Sequence, residues 1–223
     1  MTAYQSHYQY YLFDLDGTLT DPGIGITNSV MYALEQYGIH VPDRSQLYRF
    51  IGPPLKESFM GFYGFSEEQA LEAVEHYRVY FRAGGIFENT VYPGIPQMLQ
   101  ELRDQGKTIA LATSKPEEFA LQILEHFDLM HWFDLVQGAT MDGRISQKAD
   151  VIAALLQKLE PGRTDQMLMV GDREHDILGA RANGLESAGV LWGYGSAEEL
   201  KKAGADHLVS APAEIPLLMS VHQ

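Results

Sequence analysis

From residue 90 onward the chain alternates short apolar runs with amphipathic stretches, and that rhythm restricts the fold more than any other feature. Thr108–Ala112, Leu135–Gln137, Met167–Val170, Ala188–Leu191 and His207–Val209 read as strands, as does Tyr10–Phe13 near the start. These runs are apolar throughout instead of alternating, as strands covered on both faces by helices must be. Helices are expected over Pro96–Gln105, stopped by Gly106, and over Glu117–Phe127, behind Pro116. Two more follow over Lys148–Lys158 and over Glu174–Asn183, the last stopped by Gly184. Strand-helix alternation of this kind gives an α/β fold, a doubly wound, Rossmann-like parallel sheet.

The interval 22–85 departs from the rhythm and contains no convincing strand. Helical patterns cover Ile24–Tyr37 and Leu55–Tyr63. A third helix opens at the capping box Ser66-Glu67-Glu68-Gln69 and carries Ala70, Leu71, Val74, Tyr77 and Phe81 on one face. The expected organisation is an α/β core built from 1–20 and 86–223, with an all-α domain, 21–85, inserted after the first strand. Gly17–Asp21 and Arg82–Tyr92 would serve as hinges. Such an insert lies over the carboxyl ends of the strands, where open α/β sheets bind ligands, and reads as a cap or lid.

The first strand runs directly into Asp14-Leu15-Asp16-Gly17-Thr18. Residues i and i+2 of an extended segment face the same side, so Asp14 and Asp16 converge. Two carboxylates so close need a cation, or a proton on one of them. The second strand ends in Thr113-Ser114-Lys115-Pro116, where a hydroxyl can either hold a phosphate or cap the next helix. Lys148 opens a helix against its dipole, which points either to an anion nearby or to a solvated head group. Asp172 follows the fourth strand, with Asp176 one helical turn later; the alternatives are metal chemistry, or an N-cap and a surface charge. Glu174 and His175 between them are expected to face solvent.

The chain has no cysteine, so any metal is held by oxygen or histidine, and an oxygen set suits a hard cation such as magnesium. The net charge of -14 argues against nucleic acid and against an anionic membrane surface. It repels phosphorylated substrates as well, so a local cluster of metal and lysine must overcome the far field. No apolar run approaches the ~18 residues of a spanning helix. The polar, tyrosine-rich stretch from Met1 to Gln9 has no apolar signal core, so a cytoplasmic protein is expected.

Carboxylate pair, hydroxyl, lysine and carboxylate pair occur in order, each at the end of a strand or just beyond one. This set resembles the haloacid dehalogenase-like (HAD) superfamily of phosphohydrolases. The string Asp14 to Asp21 and Tyr92-Pro93-Gly94 are similar to its phosphoglycolate phosphatase branch. The resemblance implies that Asp14 is the nucleophile and forms an aspartyl-phosphate. Asp16 would be the acid that protonates the leaving alkoxide and then the base for water. Mg2+ would be held by a carboxylate oxygen of Asp14, the backbone carbonyl of Asp16 and a carboxylate of Asp172, with Asp176 orienting its waters. Thr113, the Ser114 N–H and Lys148 would hold the phosphoryl group. The implied substrate is a small phosphorylated metabolite, phosphoglycolate or a nucleoside monophosphate; a monomer or a homodimer is expected. Asp16 separates the chain from dehalogenases, which need no leaving-group acid. A sugar phosphomutase and a non-catalytic phosphorylatable receiver remain as alternatives.

In the insert, Gly52-Pro53-Pro54 makes a stiff turn between Arg49 and Lys56. Related caps dip such a loop into the site, so Arg49 and Lys56 are expected to contact substrate. The competing reading is a plain turn with two solvated cations. Tyr48, Phe50, Phe59, Phe62 and Tyr63 are expected in the core of the insert, and Trp192 has no assigned role.

Overall fold

The computed structural model describes residues 7–159 and 164–221; the N-terminal stretch read from Met1 therefore lies outside the described residues as far as residue 6. Strands are β1 Tyr10–Phe13, β2 Thr20–Asp21, β3 Thr90–Val91, β4 Thr108–Pro116, β5 Leu135–Ala139, β6 Met167–Gly171, β7 Glu186–Val190 and β8 His207–Val209. Helices are α1 Gly23–Glu35, α2 Leu55–Tyr63, α3 Glu67–Ala83, α4 Ile95–Asp104, α5 Glu117–His126, α6 Lys148–Leu156, α7 Glu174–Ala182 and α8 Ala197–Ala203. The main sheet has the order β5-β4-β1-β6-β7-β8, and every pairing in it is parallel.

The central strand shows why its sequence is apolar without alternation. Tyr11 and Phe13 join one core with Ile109, Leu111, Leu168, Val170 and Ile123. Leu12, on the other face, joins a second core with Ala110, Met169, Val151 and Ile152. Each fully buried aliphatic or aromatic side chain contributes about 1.5–3 kcal/mol, and both faces need it. From β1 the chain winds outward through β4 and β5, then returns to the other side of β1 at β6. The switch point falls between β1 and β6, where ligands bind in sheets of this order.

Helices α1, α2 and α3 lie between β1 and β4 in the chain, as the sequence implies. The Ser66 box forms in full: the Gln69 N–H donates to the Ser66 hydroxyl at 3.2 Å, and the Ser66 N–H donates to the Gln69 side chain at 3.0 Å. The two expected hinge segments are tied together by an antiparallel ribbon, β2 against β3, with Thr20 opposite Val91 and Asp21 opposite Thr90. Strands of two residues carry no periodicity, so the sequence could not show them.

Other boundaries moved. The fifth core strand begins at Glu186, before the expected Ala188, and stops short of Leu191. Its acid is buried because the hydroxyls of Tyr8 and Ser220 donate to it, a partnership invisible in a linear pattern. Helix α8 and a 3-10 turn over Arg44–Phe50 were also missed. Among the described residues, no helix is long and apolar enough to cross a membrane.

Candidate active site

Four strand exits meet at the switch point. The turn after β1 passes so close to the end of β6 that a Cβ on Gly17 (φ +83) would lie 2.3 Å from Asp172 Oδ2. Only glycine accepts both that approach and that backbone conformation. The turn is held from two sides. The Trp192 indole N–H donates to the Thr18 carbonyl at 3.0 Å, and the Thr18 hydroxyl donates to Asp172 Oδ1 at 3.4 Å. The Tyr194 N–H donates to Asp172 Oδ2 at 2.7 Å. Trp192 and Tyr194, both unassigned from the sequence, thus position the turn and the acid.

Lys148 is buried and resolves the oddity of a lysine at a helix N-terminus. Its ammonium lies 2.7 Å from Asp14 Oδ1 and 2.8 Å from Asp176 Oδ1, and donates to the Ala112 carbonyl at 2.9 Å. Burial works against its charge, yet Asp14 and Asp176 hold its pKa above the ordinary lysine value. Burial lifts Asp176 to about 6, against the pull of Lys148. Burial, with Asp176 and Asp14 adding to it, pushes Asp172 well above the carboxylate range. Asp16 is raised by burial and drawn back by Lys115, whose ammonium sits 2.8 Å from Asp16 Oδ2. The other oxygen of Asp16 is buried without a hydrogen-bond partner.

Lys115 is the main residue the sequence reading passed over. A lysine next to the strand-exit hydroxyls was the available signal, but its burial depends on packing with Asp16 and helix α3. Its ammonium lies 4.7 Å from the Phe81 ring centroid of that helix. Thr113 and Ser114 do not cap α5: β4 runs on to Pro116, and that helix starts without a side-chain cap. Thr113 is buried and accepts the Lys115 N–H at 3.2 Å.

Carboxylate oxygens of Asp14, Asp172 and Asp176 lie within 4.8 Å of one another, all three residues buried. With Asp16 there are four buried acids against the two buried lysines 115 and 148, an excess of two negative charges when all are ionised. The excess, the all-oxygen donor set and the raised pKa values of Asp172 and Asp176 together fit a hard divalent cation.

A cavity of about 500 Å³ opens above Asp16, Ser114 and Lys115, roofed by Phe50, Tyr77 and Phe81 of the helical insert. The turn Gly52-Pro53-Pro54 does reach this cavity. Arg49, expected on the substrate, does not line it: the guanidinium lies on the Phe62 ring of the insert, 4.3 Å from its centroid, where the aromatic face attracts its charge. Lys56 lines the cavity but its ammonium is bound to Glu67 at 2.6 Å. His175, expected in solvent, is half-buried, and its Nδ1 is buried without a partner; Glu174 is exposed as expected. Phe50 and Phe59 are buried as expected, whereas Tyr48 and Phe62 remain exposed.

Arg173, next to the acid at 172, spans core and insert. Its Nε donates to Glu199 at 2.8 Å, and its Nη1 donates to the Ile51 carbonyl at 2.6 Å. Gly52 packs on it so closely that a Cβ there would meet Arg173 Cγ at 3.0 Å. No periodic signal marks a residue whose role is to reach a distant loop.

Residues 11–190 match the profile of the haloacid dehalogenase-like hydrolases. A 5'-nucleotidase of Pseudomonas aeruginosa is 45% identical over 96% of this chain and 97% of its own length. A tyrosine-protein kinase, PtkA, of Mycobacterium tuberculosis is 41% identical over 87% of this chain and 66% of its own. A solved structure described as a predicted phosphatase from Clostridium acetobutylicum superposes with a TM-score of 0.91 at 51% identity, covering 93% of this chain and 96% of that one.

Proposed function

We propose that this chain, which belongs to the haloacid dehalogenase-like hydrolase family, is a magnesium-dependent phosphatase that hydrolyses small phosphorylated metabolites through an aspartyl-phosphate. Substrates of the phosphoglycolate or nucleoside monophosphate kind head the candidates. The observation that carries the reading is the buried knot of Asp14, Lys148, Asp172 and Asp176, next in the chain to Asp16, which lines a roofed cavity. The residues 21–85 act as the cap over a core of 1–20 and 86–223.

Asp14 is the nucleophile in this reading, and attacks phosphorus in line with the leaving oxygen. Its lysine partner does not quench it, because Lys148 shares its charge between two carboxylates and a carbonyl. Lys148, the Thr113 hydroxyl and the Ser114 N–H hold the phosphoryl oxygens, where preorganised donors act most strongly. Asp16 protonates the leaving alkoxide and later deprotonates water. Burial favours its neutral form and Lys115 favours its charged form, the two forms the role calls for. Asp14, the Asp16 carbonyl and Asp172 would hold Mg2+, with Asp176 orienting its water. When bound, the cation screens the nucleophile's charge and stabilises phosphoryl oxygens.

The direct test is Asp14→Asn with p-nitrophenyl phosphate. Turnover is expected to vanish while thermal unfolding stays cooperative; near wild-type rates would remove Asp14 from the nucleophile's place. EDTA should silence the enzyme and Mg2+ restore it, and activity indifferent to EDTA would defeat the metal assignment.

A further inference from the structure

The floor of the site selects for a phosphoryl group, but the cavity above it must accommodate the rest of the ester. Its wall carries Lys56 and Arg78 as cations beyond the pair Asp16 and Lys115, against Glu57, Glu72, Glu75 and Asp142. Both cations are engaged. Lys56 is bound to Glu67, and Arg78 contacts Glu75 at 2.5 Å and donates to the Met141 carbonyl at 3.2 Å. Lys115 is bound to Asp16. Asp142 is likewise bound to Arg144 at 2.6 Å, so among the described residues the wall offers an approaching ligand no cation outside an ion pair, whereas Glu57 and Glu72 are carboxylates outside one.

The remaining surface is apolar and aromatic. Phe50, Val74, Tyr77 and Phe81 of the insert face Phe119 and Met141 of the core across it. Phe81 and Phe119 meet edge to face at 5.2 Å, closing one side. A volume of about 500 Å³ is of the size that holds a drug-sized molecule, far more than a two-carbon acid fills.

We infer that the leaving group is an uncharged aromatic alcohol, of the size of a nucleoside, and that phosphate esters carrying a second anionic group are rejected. The inference rests on the phosphatase reading and chooses within it. A second anionic group in the cavity would share it with Glu57 and Glu72 and find no ammonium outside an ion pair, and like charges held together in a partly desolvated wall discriminate strongly. A bisphosphate meets the same obstacle, which sets the mutase alternative aside. An aromatic ring instead buries its faces against Phe50, Tyr77 and Phe81, where each well-placed ring pair adds to simple area burial.

The experiment compares kcat/KM for three esters of primary alcohols on the full chain with Mg2+ at one pH: benzyl phosphate, 2-hydroxyethyl phosphate and 2-phosphoglycolate. The second shares the size of the third without its charge. The order expected is benzyl, hydroxyethyl, glycolate, with the first ahead of the last by about 100-fold. In Glu75→Gln, which removes one wall carboxylate and leaves Arg78 without its ion-pair partner, the wall gains one unit of positive charge and the glycolate-to-benzyl ratio should rise about tenfold. Phosphoglycolate equal to or ahead of benzyl phosphate overturns the inference and leaves the phosphatase reading standing. Hydrolysis of none of the three, nor of p-nitrophenyl phosphate, overturns both.

Discussion

The floor and the roof of the site handle charge in opposite ways. On the floor, partners come from distant elements: Lys148 of α6 joins Asp14 beyond β1, Asp176 of α7 and the Ala112 carbonyl of β4. On the roof, partners are mostly local: Arg49 lies on Phe62, Lys56 on Glu67 and Arg78 on Glu75. A floor assembled from four strand exits can hold one geometry to fractions of an ångström, as phosphoryl transfer requires. A roof that settles its own charges presents a mainly apolar face and selects by shape and polarity. In the proposed reading, one chain thereby separates the chemistry from the choice of substrate.

The comparison breaks most readily at Lys148. Lys148→Ala leaves Asp14 and Asp176 as buried acids without their cation, so stability should fall by about 3–5 kcal/mol and kcat by about 10²–10³. A loss of turnover below tenfold in a folded variant would show that the floor does not depend on this knot.

Asp172→Asn tests the excess charge. Because the folded pKa values of Asp172 and Asp176 are raised, the folded protein keeps protons that the unfolded chain gives up above 3.8. That stabilisation is present at acid pH and is lost as pH rises, through about 6 for Asp176, and Asp172, also raised by burial, acts in the same direction. The metal-free protein should therefore have a lower Tm at pH 8 than at pH 5, and Mg2+ should raise Tm more at pH 8. Asp172→Asn should raise the metal-free Tm at pH 8, at about 2–4 °C per kcal/mol of repulsion relieved, and abolish Mg2+-dependent turnover. A metal-free Tm that climbs from pH 5 to pH 8 would contradict this account.

Arg173 joins the two regions, so its loss should affect binding more than chemistry. Arg173→Ala removes the hydrogen bond to the Ile51 carbonyl, and KM should rise about tenfold with kcat changed less than about threefold. A fall in kcat alone, at constant KM, would move Arg173 from the roof to the floor. Smallest is Arg49→Ala, which removes a cation–π contact worth about 0.5–1 kcal/mol and should alter KM by less than about twofold for every ester. A selective rise in KM for one substrate would return Arg49 to the site.

The parallel sheet was legible in the sequence from local pattern, and the floor was legible because the family resemblance joined motifs whose local readings each left an alternative open. A strand buried on two faces must be apolar throughout, as Leu12 and Phe13 are, and the residue after it is committed to one end of the sheet. The resemblance put Asp14, Thr113, Lys148 and Asp172 in one site, and the contacts of Lys148 with Asp14 and of Asp14 with Asp172 and Asp176 lie there. Lys148 even carried its own signal, a cation at the wrong end of a helix. The tertiary structure alone decided whether a charge is spoken for. Lys115 became part of the site when α3 folded over it, Arg49 left it when Phe62 came within reach, and Glu186 entered a strand because Tyr8 and Ser220 met it there. Pattern records which face a residue takes; the partner that neutralises it comes from anywhere in the chain, and only folding brings the two together.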